Sequence, residues 1–205
     1  MPLLAVVTIL MLAGCTKDPV SKLNAEETRI YLTQHDSAAS FNSFKTFSIS
    51  DSVAIISNNQ LYQKTRDGFD STLINAFANA MIQRGYTRVS NSQNPDLGIN
   101  VNNIINTYTG YVDYGSYYNS YYGYVDPYYW GYPGYSYYGA YIGTYQVNEG
   151  VISIDIFDLK NATANKEIKS VWNGVVRGEG IFESSSINAS VQALFDQSTY
   201  IKANQ

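Results

Sequence analysis

The chain has 205 residues, 45% of them hydrophobic and only 15% charged, with 13 Lys and Arg against 17 Asp and Glu. This mildly acidic balance excludes a basic nucleic-acid-binding face, and no Lys/Arg cluster occurs anywhere along the sequence. With one cysteine and one histidine, neither an internal disulfide nor the usual His/Cys zinc site can form, so packing has to supply stability and no cofactor or metal is implied.

The N-terminal segment carries an apolar stretch from Leu3 to Leu12 and then Ala13-Gly14-Cys15. The stretch is too short to span a bilayer permanently and fits the about 7–15 residues of a signal-peptide core. Small side chains at Ala13 and Gly14 let a peptidase approach the backbone, and the Cys15 thiol can accept lipid. This is the pattern of a bacterial lipoprotein leader, although no Lys or Arg precedes the apolar stretch. Residues 1–14 are therefore expected to be a signal peptide. Cys15 becomes the lipidated N-terminus, carrying acyl chains such as palmitate that contribute about 0.8 kcal/mol per buried CH₂. Thr16 stands where an Asp often marks inner-membrane retention. The expectation is thus an outer-membrane lipid anchor, facing either the periplasm or the surface, with polar residues 15–27 as a tether.

A single domain is expected over 28–205. Polar and apolar residues alternate from Thr28 to His35, which reads as a strand, and Phe44 to Ile49 reads as a second. Phe69, Leu73, Phe77 and Met81 recur every four residues with Ala76 and Ala80 beside them, predicting a helix with Asp70, Asn75, Asn79 and Gln83 turned outward. Gly85 falls where a left-handed C-cap belongs. A short strand from Tyr86 to Val89, a turn over Asn91 to Pro95 and an extended run from Asp96 to Thr107 follow. Residues 147–158 are strongly β-rich, Asn161 to Asn165 reads as a hairpin connection, and Val171 to Val176 is its partner strand. Ser184, Ser185 and Ser186 offer a cap for a last helix carrying Ile187, Val191, Leu194 and Phe195 at helical spacing.

Between the two halves lies a segment of strong bias. Of the chain's 20 tyrosines, 16 fall between Tyr108 and Tyr145, mixed with glycines, Pro127, Pro133 and Trp130, and the only charges there are Asp113 and Asp126. No strict period appears, so this is composition and not a folded repeat. It reads either as a loosely hairpinned loop, tolerated because each doubling of loop length costs only about 0.6 kcal/mol, or as an adhesive surface. Tyrosine presents a flat apolar ring and a hydroxyl at low entropy cost, which suits sugar and protein recognition. The candidate contacts are Tyr117, Tyr118, Tyr121, Tyr122, Tyr128, Tyr129 and Trp130.

Catalytic patterns are scarce. His35 beside Asp36 is the only histidine available to a triad, and no Gly-x-Ser-x-Gly elbow supports one, so it reads as a polar surface residue. Asp155 and Asp158 lie three apart on a strand and point to opposite faces. Asp158 suits a hydrogen bond to the turn after it. A pair for glycoside hydrolysis could come from elsewhere, such as Asp96 or Glu179, but nothing selects it. Gly174, Gly178 and Gly180 read as bulge positions in a bent strand. No catalytic residue is named.

Taken in order, His35-Asp36, Phe41 to Phe47 with Phe44-Lys45-Thr46-Phe47, Gly85-Tyr86, Asn94-Pro95-Asp96-Leu97, Gly150 to Asp158 and Val171-Trp172-Asn173-Gly174 resemble the lipoproteins carrying domain of unknown function 4136. The likeness covers nearly all of the mature chain outside the tether and insert. Two departures stand out: Ser48-Ile49 replaces an aromatic that often follows the Lys-Thr-Phe strand, and Asn173 replaces a basic residue often found between Trp and Gly. The resemblance implies an α+β lipoprotein domain with no established activity, whose central segment is often rich in Tyr and Gly. Its shared residues look structural, with Trp172 filling a core between sheet and helices.

The expected fold is an α+β two-layer sandwich, a mostly antiparallel or mixed sheet of about five or six strands with two helices on one face and the Tyr/Gly-rich insert at 108–145. The expected role is a cell-envelope lipoprotein that binds or scaffolds and is not an enzyme, with a glycan, peptidoglycan or an envelope protein as partner and no nucleic acid. Two alternatives stand beside it: an accessory subunit of an envelope assembly complex adding an edge strand, and a carboxylate-dependent hydrolase of envelope polymers.

Overall fold

The computed structural model describes residues 22–57, 60–105, 111–113, 127–138, 144–146 and 150–204. The leader 1–14, Cys15 and the tether through residue 21 lie outside the described residues, as do Tyr117, Tyr118, Tyr121 and Tyr122. The strands are β1 (Ile30–His35), β2 (Thr46–Ile49), β3 (Val53–Ser57), β4 (Gln60–Thr65), β5 (Thr87–Arg88), β6 (Leu97–Ile104), β7 (Tyr111–Asp113), β8 (Ser136–Tyr138), β9 (Thr144–Gln146), β10 (Val151–Asp158) and β11 (Glu167–Arg177). The helices are α1 (Gly68–Gln83), the single turn α2 (Ala162–Asn165) and α3 (Ile187–Gln197). No helix among the described residues is long and apolar enough to cross a membrane.

Among the described residues nine strands form one mixed, open sheet whose main path is β1-β11-β10-β6-β2-β5. The core is antiparallel, with β10 between β6 and β11. Strands β2 and β3 both run parallel to β6, β2 against Leu97–Ile99 and β3 against Asn102–Ile104. They behave as one strand broken at residues 50–52. The class is the expected α+β, but the sheet exceeds five or six strands because the hairpin β3–β4 and the short β8 extend it, while β5 is the short strand expected over Tyr86 to Val89. The β3–β4 hairpin answers to no element in the sequence reading. A bulge between Ile55 and Ile56 leaves Tyr62 as an extra residue in β4, which breaks the alternation that would have betrayed the strand. Strands β7 and β9 pair separately as an antiparallel ribbon within the insert, Tyr111 opposite Gln146.

Period-two geometry sorts the central strands into two faces. On the first lie Ile99, Val101, Ile152, Ile154, Ile156, Trp172 and Val176, which share one core with Leu73, Phe77 and Met81 of α1 and Val191, Leu194 and Phe195 of α3. Trp172 is fully buried there, its ring 5.9 Å from Phe77 and its Nε1–H donating to Ser198 Oγ at 2.9 Å. A Cβ on Gly174 would fall 2.3 Å from that indole, so Gly174 is a seat for Trp172 and not the bulge position its sequence suggested.

Helix α1 follows its predicted stripe, and Gly85 after it takes φ +93 as a left-handed terminus requires. Asp70 departs from expectation. It is buried and not turned outward, because it closes a capping box with Asp67 and its Oδ1 accepts from Asn103 Nδ2 at 3.5 Å. Residues Ser184–Ser186 form a 3₁₀ turn and make no side-chain cap. The Ser186 hydroxyl instead donates backward to the carbonyls of Ile181 and Glu183. Asp158 accepts from Asn161 N at 2.9 Å and Asn161 Nδ2 at 2.6 Å, which starts the tight connection to β11 as expected.

Candidate functional site

The second face of the sheet has a different chemistry. Register places Asn100 opposite Asp155 opposite Asn173, and Asn102 opposite Ser153. All five are buried. Asp155 is the hub: its Oδ2 accepts from Asn102 Nδ2 at 3.0 Å and its Oδ1 from Asn173 Nδ2 at 2.8 Å. Asn173 Nδ2 also reaches Ser153 Oγ at 3.0 Å. A carboxylate can only accept, so its oxygens fix which end of each Asn amide turns inward. Asn173, where a basic residue was expected from the family resemblance, therefore supplies a neutral donor to a buried acid.

Toward the Leu97 end of the same face, residues 127–138 of the insert fold back onto the sheet. Trp130, Phe157, Leu159, Ala162 and Ile168 form a second apolar cluster, with Tyr129, Tyr132, Tyr135 and Tyr137 packed around it. The absence of a side chain at Gly98 makes room, since a Cβ there would sit 2.9 Å from Leu159 Cδ1 and 3.3 Å from Trp130 Cδ2. Strand β8 pairs in parallel with Glu167–Lys169 and ties the segment to β11. The Tyr132 hydroxyl donates to the Leu159 carbonyl at 2.9 Å, and Asn91 Nδ2 to the Tyr129 carbonyl at 3.2 Å.

Among the sequence-chosen contacts, this divides the three that are described. Trp130 is 4% exposed and serves as the buried anchor of the turn. Tyr129 is half-buried; its hydroxyl engages Ser50 and the Asp51 backbone, and burial first, then the Asp51 charge, push its pKa up. Tyr128, at the crest of the turn, is 79% exposed. Lys64 of β4 stands over the Tyr129 ring at 5.9 Å, and Arg66 pairs loosely with Asp51 at 3.8 Å. Tyr62, two residues from Lys64 on the same strand, is 73% exposed. The result is a presented aromatic and polar patch: Tyr128 and Tyr129 from the insert with Lys64 of the hairpin over the Tyr129 ring, and Tyr62 exposed on the strand that carries Lys64. Sequence reasoning missed Lys64 and Tyr62 because it missed the hairpin that carries them.

The other chemical candidates are not brought together. Asp96 precedes the β6 end opposite Asp158, and Glu179 follows the β11 end opposite Val151, so they lie at opposite ends of the sheet. The Asp96 carboxylate accepts from Lys45 N at 2.6 Å and Thr46 N at 3.2 Å, and so acts as a brace for β2. His35 is exposed and stacks on Tyr200 at 4.0 Å. Asp36 pairs with Lys169, whose hydrogen bond draws the Asp36 pKa down. No group of three or more His, Cys, Asp or Glu side chains among the described residues could hold a metal ion.

The family model described as Domain of unknown function (DUF4136) matches residues 32–198. A crystal structure of a DUF4136 family protein from Bacteroides thetaiotaomicron is 25% identical, with a TM-score of 0.62 over 85% of this chain and 98% of that one. A PelC dodecamer from Paraburkholderia phytofirmans is 13% identical with a TM-score of 0.40, over 86% of this chain and 99% of that one. A PDZ domain protein from Parabacteroides distasonis is 16% identical with a TM-score of 0.43, over 85% of this chain but 37% of that one. No curated protein matches the chain.

Proposed function

This chain belongs to the DUF4136 family, and from that premise we propose a cell-envelope lipoprotein, anchored in the outer membrane through acylated Cys15, whose domain binds a glycan and performs no chemistry on it. The observation that carries the reading is the exposed Tyr128 ring on a turn held from below by buried Trp130. A saccharide offers a CH face for such a ring and hydroxyls for Asn91 and Asp51, which adjoin the neighbouring Tyr129, and for Arg66 beside Asp51. Preorganisation matters because a ring already fixed loses little entropy on binding. The leader pattern ending in Leu12-Ala13-Gly14-Cys15 supports the anchor.

Two experiments test the parts separately. Labelling cells with an alkyne palmitate analogue tests the anchor: label on the wild type and none on Cys15→Ser is expected, and an unlabelled wild type with an intact leader contradicts it. Titration with peptidoglycan fragments, followed by NMR, tests the patch. Shifts centred on Lys64, Tyr128 and Tyr129 are expected; shifts confined to another surface contradict it.

A second reading rests on the outer edge of β4, which has no strand partner among the described residues. In that reading the module adds this edge to a neighbouring sheet in an envelope assembly. A proline at the edge, Gln63→Pro, would abolish co-assembly, and undiminished co-assembly by that variant would contradict this reading.

A further inference from the structure

We infer that the seam between the insert and the polar face of the sheet holds one buried water molecule, bridging Trp130 Nε1 to Asn102 Oδ1. Both atoms are buried and neither has a hydrogen-bond partner within the protein. They have opposite requirements. Indole Nε1–H can only donate. Asn102 must turn its Nδ2 toward Asp155, as the 3.0 Å bond requires, so its Oδ1 is left as an acceptor. A buried donor or acceptor left without a partner forfeits its hydration and gains nothing in return, which makes two such orphans in one place unusual for a native fold.

Both residues line the same narrow cavity, together with Ser50, Ser52, Ala54, Lys64, Asn100, Val101 and Tyr129. Its free volume is about 10 Å³. That is close to the roughly 10–15 Å³ one water needs, too small for any larger ligand, and polar enough to supply the two to four partners a buried water takes. The water accepts from Trp130 and donates to Asn102, with Ser50 and Ser52 beside it for its second hydrogen. The bridge completes a continuous line of hydrogen bonds from Trp130 through Asn102 and Asp155 to Asn173, and so joins the insert to the centre of the sheet.

A crystal structure of the full chain at about 1.3 Å tests this without any substitution. The expected result is one ordered oxygen at about 3 Å from both Trp130 Nε1 and Asn102 Oδ1. A seam without ordered oxygen, or a direct bond between the two side chains, would falsify the proposal. Oxygen-17 relaxation dispersion gives a second reading in solution: Trp130→Phe, which keeps an aromatic ring but removes the donor, should lower the number of long-lived internal waters by one. An unchanged number overturns the bridge.

Discussion

The two faces of this sheet are covered in opposite ways. The helix face is mostly apolar, with Asp70 and Asn103 paired beside Ile152, and α1 and α3 close it with Leu, Phe and Met side chains. The insert face carries Asn100, Asn102, Ser153, Asp155 and Asn173 at its centre, and at one end an aromatic foot rests on Gly98. Apolar packing is tolerant of partner shape and strong per unit area. A buried hydrogen-bond network is weaker in net stability but demanding in geometry, since each unmet group is penalised. The helix face therefore holds the fold together, while the insert face fixes the register of β6, β10 and β11 and the seat on which Tyr128 is presented.

The comparison predicts an order of effects. Trp172→Ala should be the most damaging, because it empties the centre of the helix face and frees the Ser198 hydroxyl; about 3–5 kcal/mol is expected in urea denaturation. A loss below about 1 kcal/mol would mean that this face is not the main core. Asp155→Ala should follow, at about 2–3 kcal/mol, by stranding the amides of Asn102 and Asn173. In the same titration Asp155→Asn should be milder, and equality of the two would argue that the network contributes nothing specific. Gly174→Ala is expected to cost about 1–3 kcal/mol by driving a methyl into the Trp172 ring. Its thermal midpoint against that of Gly98→Ala sharpens the contrast: Gly98 meets the flexible end of Leu159, so its substitution should shift the midpoint less.

The smallest effect belongs to the rim. Asp36→Asn removes the pair with Lys169 and should cost about 0.2–1 kcal/mol at neutral pH. The Asp36 pKa is lowered by that bond, so the stabilisation is present above the ordinary carboxylate value of 3.8 and is lost as pH falls through the depressed folded value. The Lys169 pKa is raised by the same bond, so the contribution is also lost as pH climbs past 10.5 through its raised value. Wild type and variant should therefore converge in acid and in strong base; a constant difference across both limits would assign the effect to something other than the pair.

The sequence made some of this contrast visible and concealed the rest. The α1 stripe, the β-rich run at 147–158 and the last helix declare themselves by period, because each has one buried side. The role of Trp172 was also legible, through the family resemblance that set it in a core between sheet and helices. The polar centre was not. Asn100, Asn102, Asp155 and Asn173 read singly as solvent-facing positions of strands, and only the cross-strand register shows that they satisfy one another. The hairpin β3–β4 was hidden by its bulge, and with it Lys64. Tyr128, Tyr129 and Trp130 look alike in a tyrosine-rich run, yet the fold buries one, half-buries one and exposes one. Deleting 110–142 would thus remove part of the core along with the binding surface, so point substitutions are the proper probe.

Co-sedimentation of the purified protein with isolated peptidoglycan sacculi tests the central claim most directly, comparing wild type with Tyr62→Ala/Tyr128→Ala. Both positions are exposed, so the double variant should keep its stability to within about 0.5 kcal/mol. The account predicts at least about a tenfold loss of binding, equivalent to roughly 1.4 kcal/mol. Equal binding by the stably folded double variant, or no binding by the wild type, would contradict it.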